Sequence, residues 1–322
     1  MATITQLDTQ NLPLFRFIPT EHGSQDWLEK RKNGIGGSDA AAALGKSQYK
    51  SQLQLWNEKL GQPSGWEGDY WTFETGKALE PVIRKWYADK KGLDVIMPRG
   101  VYQHTKHDFM FFTPDGYTEN NGVRRGFEAK KYLSKNAWGD AGSDELPTDY
   151  LFQVHHGMIV MDIDVFDIAV SFFGAEPIIF TVEKDEELHE YIVEGEREFW
   201  DMVKNKKEPE PVTSEDLKRK FNMPIPTNII ATPEIATTVN KLSCLKDTLK
   251  TIEKEKESLE NKIKLYIGNN EQLNAISGES LVTWKQRKGA RRLNGKRLEK
   301  ENPIIYNEYL EEGEPTRTFL VK

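Results

Sequence analysis

The chain has 322 residues, of which 37% are hydrophobic and 30% charged, a balance typical of a globular protein with a sizeable core. Its net charge of −7 argues against uniform affinity for nucleic acid. No run reaches the roughly 18 consecutive apolar residues of a membrane span, and the start lacks the segments of a signal peptide, so we expect a cytoplasmic protein without membrane partners. The single cysteine, Cys244, forms neither an internal disulfide nor a zinc or iron–sulfur site by itself, so a bound metal must use oxygen or imidazole ligands.

Apolar periodicity and capping residues predict four helices in the first part of the chain. They are expected over residues 24–33, 40–45, 51–60 and 74–91. Ser24 fits an N-cap, and Gly61 fits the position just after a helix. The longest of the four is amphipathic. Its apolar face is expected to carry Ala78, Leu79, Val82, Ile83, Trp86 and Tyr87.

The pattern then changes to strands and back to helices. Strands are expected over residues 94–97, 100–104, 109–113, 126–130, 165–173 and 178–182. Further helices are expected over residues 149–161 and 185–205. This order predicts an α/β fold with a mixed central sheet flanked by helices.

Two acidic residues and a lysine form the most specific pattern of the chain. Asp115 lies in a predicted turn, and Glu128-Ala129-Lys130 lies on a predicted strand, where residues two apart point to one face. Adjacent twisted strands can bring Asp115 beside Glu128, and two carboxylates there would suit Mg²⁺, with Lys130 serving the attacking water or the phosphate. The spacing alone also fits a surface turn and a salt-bridged strand.

Three further features stand in the order that such chemistry needs. Glu80 is an acid on the helix upstream, and Gln153 is a polar residue in the otherwise apolar helix downstream. Arg31 and the glycine-rich turn that ends in Ser38 combine a guanidinium with backbone N–H groups at a helix start, which suits an anion. The tandem histidines 155 and 156 face directions about 100° apart and are expected to be packed or solvent-facing.

In this order, the motifs resemble the YqaJ-type viral recombinase family, relatives of phage lambda exonuclease with a restriction-endonuclease-like fold. The resemblance covers residues 24–205. It rests on Trp27-x3-Arg31-x2-Gly34-Ile35-Gly36-Gly37-Ser38-Asp39-Ala40-Ala41, Gly76-x3-Glu80-Pro81, Pro114-Asp115-Gly116, Glu128-Ala129-Lys130 and Tyr150-x2-Gln153.

The resemblance implies a role for each motif. The implied catalytic residues are Asp115, Glu128, Lys130, Glu80 and Gln153. The metal, Mg²⁺ with Mn²⁺ as a substitute, would be held by Asp115, Glu128 and the backbone carbonyl of Ala129. Arg31 and Ser38 are implied to hold the 5′-phosphate end of a DNA strand.

The resemblance also implies an activity and partners. It predicts a metal-dependent exonuclease that digests linear double-stranded DNA from 5′ to 3′ and leaves single-stranded tails for phage or prophage recombination in a bacterial host. A RecT-like single-strand annealing protein is the implied partner, and a ring-shaped homo-oligomer is one form that the family allows. Two alternatives stay open: a non-catalytic DNA-binding recombination scaffold, and a sequence-specific endonuclease of the same fold, which would cut circular DNA.

The remainder of the chain is expected to be an appendage. Residues 1–206 are the predicted exonuclease domain, residues 207–233 a proline-rich linker, and residues 234–322 a long helix followed by basic short strands. An apolar seam interrupted by Thr238 and Lys256 predicts an exposed helix suited to a coiled coil or a helical hairpin. Residues 281–300 carry eight basic residues and one acid, a net charge of +7 against −14 for the rest of the chain. These basic side chains either contact phosphates or pair with acids of the helix.

Overall fold

The chain folds into two units. The computed structural model describes residues 14–20, 24–63, 70–289, 293–311 and 317–321. Unit 1 is Met1–Lys220 and unit 2 is Phe221–Lys322. The division falls inside the stretch predicted as a linker, because a short helix at Ser214–Lys220 belongs to unit 1. Its buried Asp216 accepts a hydrogen bond from the Ser51 hydroxyl at 2.8 Å. No helix in the described residues is long and apolar enough to cross a membrane.

Six of the described helices of unit 1 confirm the periodicity of the sequence, and the seventh, α7, was not predicted. The seven are α1 (Gln25–Lys32), α2 (Ala40–Ala43), α3 (Gln52–Lys59), α4 (Tyr70–Lys91), α5 (Thr148–Met161), α6 (Glu186–Lys204) and α7 (Ser214–Lys220). Ser24 caps α1, and Ser51 caps α3 in a reciprocal capping box. The buried face of α4 is narrower than predicted: Ile83 and Tyr87 are buried, whereas Val82 is 62% exposed.

Eight strands form two mixed sheets in the described part of unit 1. They are β1 (Phe15–Pro19), β2 (Ile35–Gly36), β3 (Gly100–His104), β4 (Met110–Phe112), β5 (Gly116–Asn120), β6 (Val123–Tyr132), β7 (Val165–Phe172) and β8 (Ile178–Glu183). One sheet has the order β1-β3-β4-β2 and the other β5-β6-β7-β8. Only the β2/β4 and β6/β7 pairs are parallel.

The α/β class, the mixed sheet and the flanking helices agree with the sequence prediction, but the strand inventory differs. Strands β1, β2 and β5 were not predicted; each is an edge strand, and the strands form two sheets where one was expected. The strand predicted at residues 94–97 is reduced to one bridge between Ile96 and Tyr117. Short strands such as β5, with the polar sequence GYTEN, carry too little alternation to be recognised without their partners.

The sheet β5-β6-β7-β8 lies between helices. Helix α4 packs on β6 and β7 through a small cluster that includes Ile83, Tyr87, Phe127 and Ala129. Helix α5 connects the parallel strands β6 and β7 and packs with α2, α6, β3 and β4 in the main core. Because successive strand residues alternate between faces, Phe127 and Ala129 face α4 and Glu128 faces α5.

Unit 2 is built on a long helix. Helix α8 (Pro233–Ile267) starts at Thr232, whose side chain accepts from the Ile235 N–H, and ends at Gly268 with a φ of 58°. It is followed by the antiparallel strands β9 (Gln272–Asn274) and β10 (Ser280–Thr283) and by the helices α9 (Gly295–Glu301) and α10 (Pro303–Glu308). Short strands were predicted for residues 277–293 and 316–322 of the tail. Strand β10 lies in the first segment, whereas residues 317–321 of the second have no regular structure, and α9 and α10 form between the two segments.

Candidate active site

The register of two strands brings the two predicted carboxylates together. Strand β5 pairs with β6 so that Gly116 lies opposite Phe127, and one further step places Asp115 opposite Glu128. The Asp115 carboxylate accepts the Ala129 N–H at 2.9 Å, which holds it against β6. The structure therefore brings Asp115 and Glu128 side by side.

The two oxygens of Glu128 have different surroundings. Glu128 is 4% exposed, and its Oε1 accepts from Lys130 Nζ at 2.7 Å and from Gln153 Nε2 at 2.6 Å. Its Oε2 is buried and has no hydrogen-bond partner among the residues that the structure describes. Lys130 Nζ also lies 5.4 Å from the ring centroid of Tyr150. Lys130 and Gln153 thus fix one oxygen of the carboxylate and leave the other free for a ligand.

Burial and charge perturb the titration of this cluster. Burial raises the pKa of Asp115 to about 6, although the Lys130 ammonium opposes the rise. Burial, and then the Asp115 carboxylate, raise the pKa of Glu128 to about 7. Burial alone would lower the pKa of Lys130, but the two carboxylates outweigh it and raise this pKa, so the ammonium stays charged. The pair of carboxylates carries charge that a cation would stabilise.

The donors present fit a divalent metal ion. The orphaned Oε2 of Glu128 and the adjacent Asp115 carboxylate are hard oxygen donors, as Mg²⁺ prefers. The N–H and the carbonyl of one strand residue point toward the same neighbouring strand. Because the Ala129 N–H donates to Asp115, which precedes β5, the Ala129 carbonyl also faces Asp115. Within the described residues, no three acidic, histidine or cysteine side chains cluster as metal ligands. Glu80 instead pairs with Arg84.

Arg31 and Ser38 meet as the sequence suggested. Arg31 Nη2 donates to Ser38 Oγ at 3.0 Å, and the guanidinium lies 4.8 Å from the ring centroid of Trp27. The helix start beside them is only a three-residue 3-10 turn at Gly37–Asp39 followed by α2, and the Gly36 N–H is already bound by Asp39. An anion here would depend mainly on the Arg31 and Ser38 side chains.

A buried ion network behind Arg31 was not predicted. Asp39 is 1% exposed, and Lys59 of α3 lies 2.7 Å from its Oδ2. Lys59 also donates to the Arg31 carbonyl at 2.8 Å. Arg31 and Lys50 approach Asp39 Oδ1 at 3.6 and 3.9 Å. Burial alone would raise the pKa of Asp39, but Lys59, Arg31 and Lys50 together hold it well below its usual range.

One cavity joins the anion site to the carboxylates. Its volume is about 240 Å³, and its walls include Arg31, Ser38, Asp115, Glu128 and Gln153. Lys130 does not line the cavity but contacts one of its wall residues, Glu128, at 2.7 Å. A strand end held by Arg31 would therefore lie in the same cavity as the carboxylates.

The tandem histidines are packed, as expected. His155 Nδ1 lies 3.1 Å from His189 Nε2, and His156 bonds to Glu196 at 2.7 Å and to the Phe111 carbonyl at 2.9 Å. They bond to different partners in the core and take no part in the cavity.

Comparisons with known proteins agree with the motif order. The family model of the YqaJ-like viral recombinase domain matches residues 26–164. The uncharacterized protein YqaJ of Bacillus subtilis (strain 168) is 26% identical over 303 residues, covering 91% of this chain and 92% of that protein.

Solved structures with a similar chain trace include two exonucleases. An alkaline exonuclease from Laribacter hongkongensis is 19% identical, with a TM-score of 0.46 over 61% of this chain and 97% of that chain. A phage-related exonuclease from Haemophilus somnus 129PT is 15% identical, with a TM-score of 0.41 over 54% of this chain and 96% of that chain. The family match confirms the resemblance seen in the sequence and covers residues 26–164 of this chain.

Proposed function

We propose that this protein is a metal-dependent exonuclease that digests linear double-stranded DNA from a 5′-phosphorylated end and produces single-stranded tails for phage or prophage recombination. The observation that carries the proposal is the shared cavity: the Arg31–Ser38 pair and the carboxylates of Asp115 and Glu128 line the same walls. The match of residues 26–164 to the YqaJ-like viral recombinase domain supports the recombination role.

The cavity residues have distinct parts in phosphodiester hydrolysis. A water oxygen bonds to phosphorus in line while the water loses a proton, and the bond from phosphorus to the 3′-oxygen breaks as that oxygen is protonated. Mg²⁺ held by Asp115, Glu128 and the Ala129 carbonyl would supply the Lewis acidity for this attack, and Mn²⁺ would substitute for it. Lys130, whose ammonium stays charged, stabilises negative charge that develops on the phosphate.

Other side chains position these groups. Gln153 donates to Glu128 Oε1 and keeps Oε2 directed to a ligand. Glu80 pairs with Arg84, but its negative charge still acts on Asp115 and raises the pKa of that carboxyl, so we propose that it assists the metal site. Arg31 and Ser38 bind the terminal phosphate, because a guanidinium offers two parallel donors to a dianion.

Digestion of matched DNA substrates tests the proposal. Linear duplexes with 5′-phosphate or 5′-hydroxyl ends and a closed circle are incubated with the full chain, with and without Mg²⁺ or Mn²⁺. We expect metal-dependent loss of the linear DNA, faster from the phosphorylated end, and no cutting of the circle. Cutting of the circle would indicate an endonuclease, and binding without digestion would indicate a scaffold.

Two variants connect the activity to the cavity. Glu128→Gln is expected to lower turnover by at least a hundredfold, whereas Glu119→Gln, an exposed acid on β5, should leave it unchanged. Arg31→Ala should shrink the rate advantage of 5′-phosphorylated ends. Near-normal digestion by Glu128→Gln protein would contradict the assignment of the site. The ring-shaped oligomer and the RecT-like partner stay predictions from the family resemblance.

A further inference from the structure

The phenyl ring of Phe112 lies where β4, the glycine-rich turn before Ser38 and helix α5 meet. Phe112 is 3% exposed and contributes to the wall of the cavity that holds the Arg31–Ser38 pair and the carboxylates. Its strand is held against α5 by a buried hydrogen bond, in which His156 Nε2 donates to the Phe111 carbonyl at 2.9 Å. The strand that carries the ring is therefore fixed to the helix beside it.

The turn that leads to Ser38 rests directly on this ring. A Cβ on Gly37 would lie 2.6 Å from Phe112 Cε2. Carbon atoms pack at about 3.5–4.0 Å, so only the absence of a side chain at this position allows the contact. Ser38, the next residue, accepts a hydrogen bond from Arg31 Nη2 at 3.0 Å. The ring therefore limits how closely the Arg31–Ser38 pair can approach β4.

Helix α5 rests on other atoms of the same ring. A Cβ on Gly157 would lie 2.6 Å from both Cε1 and Cζ of Phe112. Gly157 follows Gln153 by one helical turn, and Gln153 donates to Glu128 Oε1 at 2.6 Å. Asp115 follows Phe112 by three residues in the chain. Both carboxylates are thus connected to the ring, Glu128 through α5 and Asp115 through the end of β4.

These contacts make Phe112 a spacer between the two parts of the cavity. A closely packed interior transmits a change in one side chain to its neighbours, so the size of the ring sets the separation of the elements that rest on it. We propose that Phe112 is a specificity-determining residue: its ring sets the distance from the Arg31–Ser38 pair to the carboxylates, and thereby the length of the fragment released at each cut. This role rests on the proposed exonuclease function, in which one site binds the 5′-phosphate and the other cleaves.

A fixed distance selects one phosphodiester bond. With the terminal phosphate bound by Arg31, only the phosphate that reaches Asp115 and Glu128 is attacked, so each cut releases a fragment of one length. A smaller side chain at position 112 lets the turn and α5 shift, and phosphates at two distances from the end then reach the carboxylates.

The length of the first fragment released from a labelled end tests this role. Linear duplexes that carry a radioactive 5′-phosphate are digested by the full chain under single-turnover conditions, and the labelled fragments are separated by length. The wild type should release one length. Phe112→Leu removes Cε1, Cε2 and Cζ of the ring and should release a second length in roughly one cut in ten, because loosened packing leaves the two cuts within about tenfold in rate.

Two further variants separate spacing from a general loss of stability. Phe166→Leu is the matched control: Phe166 is fully buried, its ring centroid lies 5.9 Å from that of Phe112, and it is not among the described residues that line the cavity. It should lower the thermal transition as Phe112→Leu does but keep one fragment length. Gly157→Ala added to Phe112→Leu places a methyl group where the ring carbons were, and should restore the single length.

Phe112→Met, whose flexible side chain refills part of the space, should release the same mixture and gives the answer if the Phe112→Leu protein does not fold. The wild-type length alone from both Phe112 variants, the same mixture from Phe166→Leu, or several lengths from the wild type would overturn the role of Phe112 and leave the exonuclease activity in place. A Gly157→Ala/Phe112→Leu protein that regains thermal stability but still releases two lengths would do the same. A wild type that digests no linear DNA would instead overturn the proposed function, and this role with it.

Discussion

Replacement of Lys59 by methionine tests whether the buried network behind Arg31 holds the anion site. Lys59 Nζ lies 2.7 Å from Asp39 Oδ2, and the side chains are only 2% and 1% exposed. Removing one partner of a buried ion pair costs about 3–5 kcal/mol, because the other charge is left without compensation. Arg31 and Lys50 stay near Asp39, so we expect the lower end, about 3 kcal/mol of unfolding free energy.

The same substitution should change the specificity of the site. Lys59 also holds the Arg31 carbonyl at 2.8 Å, so its loss removes an anchor of the helix that carries the guanidinium. We expect Lys59→Met to reduce the preference for 5′-phosphorylated ends. Lys50→Met is the matched control: Lys50 is 3.9 Å from Asp39 and pairs mainly with Glu58 at 2.6 Å, so its loss should cost about 1 kcal/mol or less.

Urea unfolding of the three proteins measures these free energies, and competitive digestion of the two kinds of DNA end measures the preference. The double variant Asp39→Asn/Lys59→Met should recover part of the lost stability, because it leaves no uncompensated buried charge. If Lys59→Met costs no more than Lys50→Met, the network contributes little to the fold and the reasoning is refuted.

Three further predictions concern packing, pH and the tail. Gly37→Ala should slow digestion and lower stability, since a Cβ there would come within 2.6 Å of the Phe112 ring beside the cavity; thermal melting and initial rates check this. Burial lowers the pKa of His104 to about 4, so stability that is present above pH 6.5 is lost as the pH falls toward 4. Asparagine in place of His104 keeps an acceptor for the two backbone N–H groups that His104 binds. In urea titrations, His104→Asn should therefore reduce the loss of unfolding free energy between pH 7 and pH 5 by about 2 kcal/mol. Arg291 and Arg292 lie outside the described residues. If they contact phosphates, replacing both by alanine should flatten the dependence of the logarithm of the DNA-binding constant on log salt, measured in Ca²⁺, by nearly two units. An unchanged slope with lower thermal stability would favour pairing within the protein.

Features that depend on neighbours along the chain could be predicted from the sequence. Helix periodicity, the N-cap Ser24 and the terminating Gly61 predicted α1 and α3, because turns and caps involve residues three or four apart. The alternation of β6 predicted that Glu128 and Lys130 share a face, and their 2.7 Å ion pair confirms it. The seam of α8 was also visible in the sequence.

Contacts between segments that are distant in the chain became visible only in the three-dimensional structure. Strand β5 is too short and polar to be recognised alone, yet its register with β6 places Asp115 opposite Glu128. Lys59 carries no sequence signal, because a lysine is ordinarily exposed and becomes buried here only where α3 brings it to Asp39. The preference of a segment for helix or strand is set by residues near it in the chain. Burial and ion pairing depend instead on packing between elements far apart in the chain, and no periodic sequence pattern predicts that packing.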